Sequence, residues 1–164
     1  MPNVPDKIIV HHTAIARQGE QIAQINAAHE ERGFPQSRLG FFVGYHFLID
    51  GAGNITRTRE DDEEGAHTVG QNTSSLGVGL EGDFNLELPT KEQAAALGGL
   101  LGALCEQYSL GVSDIFPHRA YSPKDCYGTL LSNDWARLVF LESYGRRLRD
   151  KMLQICKENN LKPF

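Results

Sequence analysis

The sequence predicts a single α/β domain in which helices flank a central mixed β-sheet. Three observations predict this fold: a buried-strand pattern at Lys7–Ala14, a hairpin pattern that starts at Phe41, and a capped helix that starts near Thr90. The chain has 164 residues, of which 40% are hydrophobic. A chain of this size buries roughly 70% of its unfolded surface on folding, so we expect one core and one domain over residues 1–164.

The first strand pattern reads Lys-Ile-Ile-Val-His-His-Thr-Ala and covers Lys7–Ala14. Its apolar β-branched run is typical of a strand covered on both faces, and open α/β sheets place their chemistry at the C-terminal ends of such strands. Because the run stops at two histidines, we expect His11 or His12 to face a site. Two structural histidines are the alternative, and only a partner elsewhere in the chain decides between them.

The remaining strands follow from composition and turn signals. Phe41–Asp50 is rich in aromatic and β-branched residues and precedes the glycine-rich turn 51–54, which predicts a strand, a turn and a partner strand from Ile55. Leu76–Leu80 predicts a third strand, and its glycines indicate that another backbone or a ligand comes close. A short apolar segment at Val112–Phe116 predicts a last strand.

Three or four helices are predicted. Gly19–Arg32 is amphipathic and is followed by Gly33, a typical C-terminal stop. The second helix starts with a Thr-x-x-Gln capping box at Thr90 and continues with leucines at helical spacing. Asp134–Lys157 predicts one or two further helices.

Composition excludes several classes of protein. A formal charge of -5 and a pI near 5.6 argue against a nucleic-acid backbone as the main partner. Cys105, Cys126 and Cys156 are odd in number and widely spaced, which excludes a disulfide framework and fits a reducing compartment. The sequence shows neither a signal peptide nor a membrane span, so we expect synthesis in the cytoplasm without an export signal.

A second polar cluster lies at Pro117–Gly128, where His118 and Cys126 stand eight positions apart. With His11 they supply two imidazoles and one thiolate. Catalytic zinc takes three N, S or O ligands and keeps the fourth position for water, whereas structural zinc is typically closed by short Cys-x-x-Cys pairs, which this chain lacks. Thiolate and imidazole ligands favour zinc over magnesium or calcium. On spacing alone, structural histidines and a core cysteine remain the alternative.

The chain carries, in order, Ile-Val-His-His-Thr-Ala, Val-Gly-Tyr-His-Phe-Leu-Ile-Asp, Gly-Ala-His-Thr-Val-Gly-Gln-Asn, Leu-Gly-Val-Gly-Leu-Glu-Gly-Asp-Phe, Pro-His-Arg and Ser-Pro-Lys-Asp-Cys. This ordered set resembles the motifs of the zinc-dependent N-acetylmuramoyl-L-alanine amidases, in particular the phage lysozyme-type amidases and the catalytic peptidoglycan recognition proteins. The resemblance covers roughly residues 7–138. It implies an amidase/peptidoglycan-recognition-like fold.

The resemblance also implies a metal site for Zn²⁺. It makes His11 the first ligand and His118 and Cys126 the second and third. His12 is then expected to turn the other way, as side-chain alternation along a strand requires.

Further roles follow from the same resemblance. Tyr45 matches the catalytic tyrosine of the family and Lys124 its catalytic lysine, whereas His46 is expected to point into the core. Three more positions match residues that line the peptide-binding groove of the recognition proteins. They are His67, Asn72 and, more weakly, His29.

Two positions favour the Tyr/Lys phage-type branch. Amidases that recycle muropeptides in the cytoplasm have a glutamate base where this chain has Gly79, and an aspartate where it has Cys126. Cys126 is followed by Tyr127 rather than by the common proline, which changes the backbone after the ligand but keeps the ligand.

The function that the resemblance implies is hydrolysis of the amide between N-acetylmuramic acid and L-alanine in peptidoglycan. We expect a monomeric phage endolysin with one catalytic domain and no separate wall-binding module, acting on the cell wall after release. Three alternatives remain open at this point: a non-catalytic peptidoglycan-binding module, a secreted amidase effector, and an inhibitor of a host polymerase.

Overall fold

A five-stranded mixed sheet forms the centre of the protein. The computed structural model describes residues 2–19 and 21–162 and confirms the predicted α/β architecture. The strand order is β3-β2-β4-β1-β5. The strands are β1 (Lys7–His12), β2 (Phe47–Ile49), β3 (Ile55–Arg57), β4 (Ser75–Leu80) and β5 (Ile115–Pro117).

The sheet is parallel except at one edge. β1 pairs in parallel with both β4 and β5, β2 pairs in parallel with β4, and β3 forms the predicted antiparallel hairpin with β2. Ile8, Ile9 and Val10 are fully buried, as expected for a central strand covered on both faces. His11 lies opposite Gly79 in the register, so β1 carries it to the C-terminal edge of the parallel strands.

Helices cover both faces of the sheet. They are α1 (Ile22–Glu31), α2 (Lys91–Tyr108) and α3 (Trp135–Glu158). The main core lies between the sheet and α2 with α3, while a smaller cluster that includes Ile25, Val43, Tyr45 and Leu48 lies on the α1 side. α3 is one continuous helix, and no helix in the described ranges is long and apolar enough to cross a membrane.

The capping box at the start of α2 forms as predicted. The Gln93 N–H donates to Thr90 Oγ1 at 2.9 Å, and the Thr90 N–H donates to Gln93 Oε1 at 3.1 Å. Such a reciprocal cap satisfies two backbone donors that would otherwise be unpaired at the helix end. The start of this helix is therefore defined by local sequence.

The predicted strand at Phe41–Asp50 is wrong for its first six residues, since β2 covers only Phe47–Ile49. Residues 41–45 bend away and hydrogen-bond to α1 side chains and to loops, whereas the His46 N–H already donates to Gly77 O of β4 at 2.9 Å. The Phe42 N–H donates to Asn26 Oδ1 at 2.7 Å, and Gly44 O accepts from the Ala66 N–H at 2.9 Å. This bend carries the chain toward α1 just before Tyr45.

The last strand is also displaced from its prediction. Val112–Asp114 forms a short 3₁₀ turn, and β5 begins only at Ile115. The Gly111 N–H donates to Asp114 Oδ2 at 2.8 Å, so a side chain and not a neighbouring strand satisfies this backbone donor. The shift places the end of β5 directly before His118.

Candidate metal centre and its pocket

The three predicted ligand residues come together at the C-terminal edge of the sheet. One ligand atom from each of His11, His118 and Cys126 lies within 4.8 Å of the others. His11 is the last residue but one of β1, and His118 directly follows β5, which pairs in parallel with β1. Because parallel neighbours end at the same edge, residues far apart in the chain meet there.

Arg119 holds the loop that carries Cys126. Its backbone N–H donates to Cys126 O at 2.7 Å, and its Nη2 donates to Gly128 O and to Leu131 O, both at 2.9 Å. Sequence reasoning quoted the Pro-His-Arg motif but gave this arginine no role. A useful signal is its position directly after a predicted ligand, where a multidentate donor can hold a loop that has no regular structure.

His12 points to the opposite face of the sheet, as strand alternation predicts. Its Nδ1 accepts from the Phe84 N–H at 3.0 Å and lies 3.8 Å from Asp83 Oδ1. The side chain is 6% exposed. The His12 ring nitrogen thus satisfies a buried backbone donor, whereas the His11 ring faces the two other candidate ligands.

Burial sets the protonation states of the three candidate ligands. It lowers the pKa of His11 well below its ordinary value, with His67 and His118 adding to the effect. Burial likewise lowers the pKa of His118 to about 4, and Lys124 contributes. Burial raises the pKa of the Cys126 thiol to about 12. The imidazoles are thus neutral with a free lone pair, while the thiol keeps its proton until a cation displaces it.

Tyr45 and Lys124 line the same pocket, which has a volume of about 380 Å³. The Tyr45 ring is buried, and its centroid lies 5.1 Å from that of His11. Burial raises the pKa of its phenol, so Tyr45 is a hydroxyl donor at neutral pH. Lys124 is exposed on the rim, two residues before Cys126. The pocket therefore combines a cation, a hydroxyl donor and the three candidate ligands.

The three predicted groove residues occupy different places. His29 lines this pocket, and its Nδ1 accepts from the Gly44 N–H at 3.0 Å. His67 lines both this pocket and an adjoining cavity, whereas Asn72 lines only the adjoining cavity. Asn72 Oδ1 accepts from the backbone N–H groups of His67 and Thr68 at 3.0 and 2.8 Å. His46, expected in the core, is fully buried.

Sequence reasoning gave no role to four polar residues that line the pocket, Thr13, Arg32, Asn85 and Asp125. Arg32 lies directly after α1, three positions beyond His29, so a helical projection from His29 is a signal that would have found it. Asn85 lies in the loop after β4, in the sequence Gly-Asp-Phe-Asn. Glycine, aspartate and asparagine are common in turns, so the sequence gives no sign that Asn85 lines a pocket.

Gly79 makes room for Tyr45. A Cβ at this position would lie 2.5 Å from Tyr45 Cδ2, so the ring packs directly on the β4 backbone. We expect Gly79→Ala to displace the tyrosine and to lower the free energy of unfolding by about 1–3 kcal/mol. Gly99→Ala is the control, because nothing lies near its Cβ in α2 and alanine should stabilise that helix by about 0.5–1 kcal/mol. Urea unfolding measures both, and an unchanged stability of Gly79→Ala contradicts the contact.

The fold is similar to those of solved N-acetylmuramoyl-L-alanine amidases and PGRP structures. The solved N-acetylmuramoyl-L-alanine amidase LysC from Clostridium intestinale has a TM-score of 0.69 and 26% identity and covers 98% of this chain and 88% of its own. Bumblebee PGRP-SA has a TM-score of 0.67 and 26% identity, and the match covers 80% of this chain and 82% of the PGRP-SA chain. Both structures share the α/β architecture.

Sequence comparison gives the family. The family model described as N-acetylmuramoyl-L-alanine amidase matches residues 1–129, and the chain belongs to this family. Peptidoglycan-recognition protein SC2 of Drosophila melanogaster is 30% identical over 77% of this chain and 70% of its own length. The endolysin of Enterobacteria phage K11 is 32% identical over 73% of this chain and 78% of its own length. These matches confirm the resemblance found in the motifs.

Proposed function

We propose that the protein is a zinc-dependent N-acetylmuramoyl-L-alanine amidase that cleaves the amide between N-acetylmuramic acid and L-alanine in bacterial peptidoglycan. The observation that carries the proposal is one pocket that contains His11, His118 and Cys126 together with Tyr45 and Lys124. Membership of the amidase family supports it. The endolysins of phages K11 and KP32, each 32% identical, support a role as an endolysin that acts on the cell wall, and we further propose that the protein acts as a monomer.

The donor set fits zinc. Two neutral imidazoles and one thiol within 4.8 Å form a nitrogen and sulfur set that suits this ion, and three protein ligands leave a position for water. When bound, zinc supplies a Lewis acid for the amide carbonyl and lowers the pKa of water toward about 7. His11, His118 and Cys126 would hold it.

Tyr45 and Lys124 act on the substrate. Lys124, as a cation on the rim of the pocket, stabilises the negative charge that develops on the amide oxygen. The protonated Tyr45 hydroxyl would orient the attacking water or relay the proton that this water loses to the leaving amine, which leaves the tyrosine protonated at the end of the reaction. Both residues therefore contribute mainly in the transition state, and both assignments agree with their lining of the ligand pocket.

A peptidoglycan-binding module without activity is the second candidate, because the relatives include peptidoglycan-recognition proteins. Binding alone requires neither a metal nor groups aimed at a reacting amide. The convergence of Tyr45, Lys124 and three candidate metal ligands on one pocket favours the enzyme.

Zinc binding should release one proton, so the affinity for zinc should depend on pH. The imidazole of His118 stays neutral down to about pH 4 and the Cys126 thiol keeps its proton up to about pH 12, so zinc displaces a proton from the thiol alone. The association constant should rise about tenfold per pH unit between about pH 5 and pH 8. Competition with a chromophoric chelator, corrected for the chelator's own protonation, measures the slope. A slope of zero, or of two or more, contradicts this assignment of protonation states.

Metal dependence of wall digestion tests the proposed function. Purified peptidoglycan incubated with the zinc-loaded protein should release new amino groups, a chelator should stop the release, and added zinc should restore it. Full activity of the metal-free protein would contradict the proposal.

A further inference from the structure

The two ring nitrogens of His11 face different surroundings. Its Nδ1 lies 3.8 Å from Cys126 Sγ, on the side of the candidate metal site. Its Nε2 lies 3.1 Å from His67 Nδ1 and 3.4 Å from Thr68 Oγ1, on the side away from that sulfur. A histidine that ligates a metal through one nitrogen carries its proton on the other, and the partner of that proton fixes the orientation of the ring.

His67 sits in a slot formed by two glycines. A Cβ on Gly65 would lie 2.5 Å from His67 Cδ2, and a Cβ on Gly77 would lie 2.6 Å from the same atom. The backbone N–H of His67 donates to Asn72 Oδ1 at 3.0 Å, which holds the loop in place. The packing of the two glycines and the hydrogen bond of the loop therefore fix the position of the ring.

The hydrogen bonds of the His67 ring to the described residues run through Nδ1. This atom lies 3.1 Å from His11 Nε2 and 2.9 Å from Thr68 Oγ1. The other ring nitrogen, Nε2, is buried and has no hydrogen-bond partner within residues 2–19 and 21–162. The slot thus holds Nδ1 of His67 between His11 Nε2 and Thr68 Oγ1.

We infer that His67 is a positioning residue whose Nδ1 accepts a hydrogen bond from His11 Nε2–H and so holds His11 Nδ1 toward His118 and Cys126. The inference rests on the proposed metal site and adds an outer-shell residue to it. It differs from the role implied by the family resemblance, in which His67 contacts the stem peptide. The two roles make different predictions, because a groove contact changes substrate affinity and leaves the affinity for zinc unchanged.

Two substitutions separate the hydrogen bond from the packing of the ring. Asparagine places its Oδ1 near the position of His67 Nδ1, whereas glutamine carries its oxygen one bond farther out. We expect His67→Gln to bind zinc about 10–100-fold more weakly than wild type and His67→Asn to stay within about threefold. Chelator competition gives both zinc dissociation constants, and far-UV circular dichroism of the metal-free proteins checks their fold.

Each outcome bears on a different claim. If the wild type binds no zinc, the proposed metal site is wrong. If the wild type binds zinc and His67→Gln binds it equally tightly, only the positioning role is wrong. Equal weakening in both variants also overturns the role, because it shows that packing and not the acceptor at Nδ1 supports the site.

A measurement on the wild-type protein tests the inference without depending on whether the variants fold. Long-range ¹H–¹⁵N spectra of the zinc-loaded protein should show His11 and His67 each protonated at Nε2, with His67 Nδ1 accepting. A proton on His67 Nδ1 contradicts the inference.

Discussion

Replacing His11 by alanine should leave the protein without tightly bound zinc, whereas the same change at His12 should leave about one zinc per chain. His11 points into the pocket with the other two candidate ligands, while His12 points to the opposite face. Loss of a ligand should weaken zinc by more than the 10–100-fold that is typical of outer-shell residues. Elemental analysis of protein purified without added metal gives the zinc content.

The His12→Ala variant serves as the matched control, because it removes the adjacent imidazole. It leaves the Phe84 N–H without its acceptor, so the free energy of unfolding should fall by about 1–3 kcal/mol. Urea unfolding of the metal-free proteins measures that loss. Equal loss of zinc in the two variants would show that the strand face is assigned wrongly.

Replacing Lys124 by alanine or Tyr45 by phenylalanine should keep the zinc and lower turnover by about 100-fold or more. Both side chains are proposed to act on the reacting amide and not on the metal. An interaction made mainly in the transition state lowers kcat and kcat/KM together. Steady-state kinetics and zinc analysis on the same preparations test both parts.

Two residues of α3 provide controls of the same residue types. Tyr144 and Lys151 are exposed on this helix, and neither lines the ligand pocket. Tyr144→Phe and Lys151→Ala should therefore keep wild-type kinetics. If Lys124→Ala or Tyr45→Phe instead raises KM at unchanged kcat, the residue binds substrate and does not stabilise the transition state.

Local chemistry decides the parts of the fold that the sequence predicts well. The β-branched run before His11 marks β1 as a buried central strand, and the Thr90 capping box marks the start of α2. The glycine-rich turn marks the hairpin of β2 and β3. In each case a few residues that are adjacent in sequence either form hydrogen bonds with their own backbone groups or strongly favour one type of secondary structure.

Contacts between distant segments decide the parts that the sequence does not predict. The strand predicted from Phe41 fails at its start because distant groups satisfy its backbone: Asn26 Oδ1 accepts from the Phe42 N–H, and the Ala66 N–H donates to Gly44 O. The role of Arg119 likewise depends on carbonyl groups up to twelve positions away.

The candidate site shows the same division. The sequence provides the candidate ligand residues, because their chemistry is visible in their types. The contact between His11 and His67 appears only once the fold places the two rings 5.1 Å apart. Partners separated by 56 positions leave no local pattern.

Identification of the bond that the protein cleaves tests the central claim most directly. A muropeptide with its stem peptide attached to N-acetylmuramic acid should be incubated with the zinc-loaded wild type, and its products identified by mass spectrometry and by labelling of amino termini and reducing ends. A zinc amidase should give a free peptide with an amino-terminal L-alanine, an intact sugar and no new reducing ends. Zinc-loaded protein that binds the muropeptide but releases neither group, or that releases only reducing ends, would contradict the assignment.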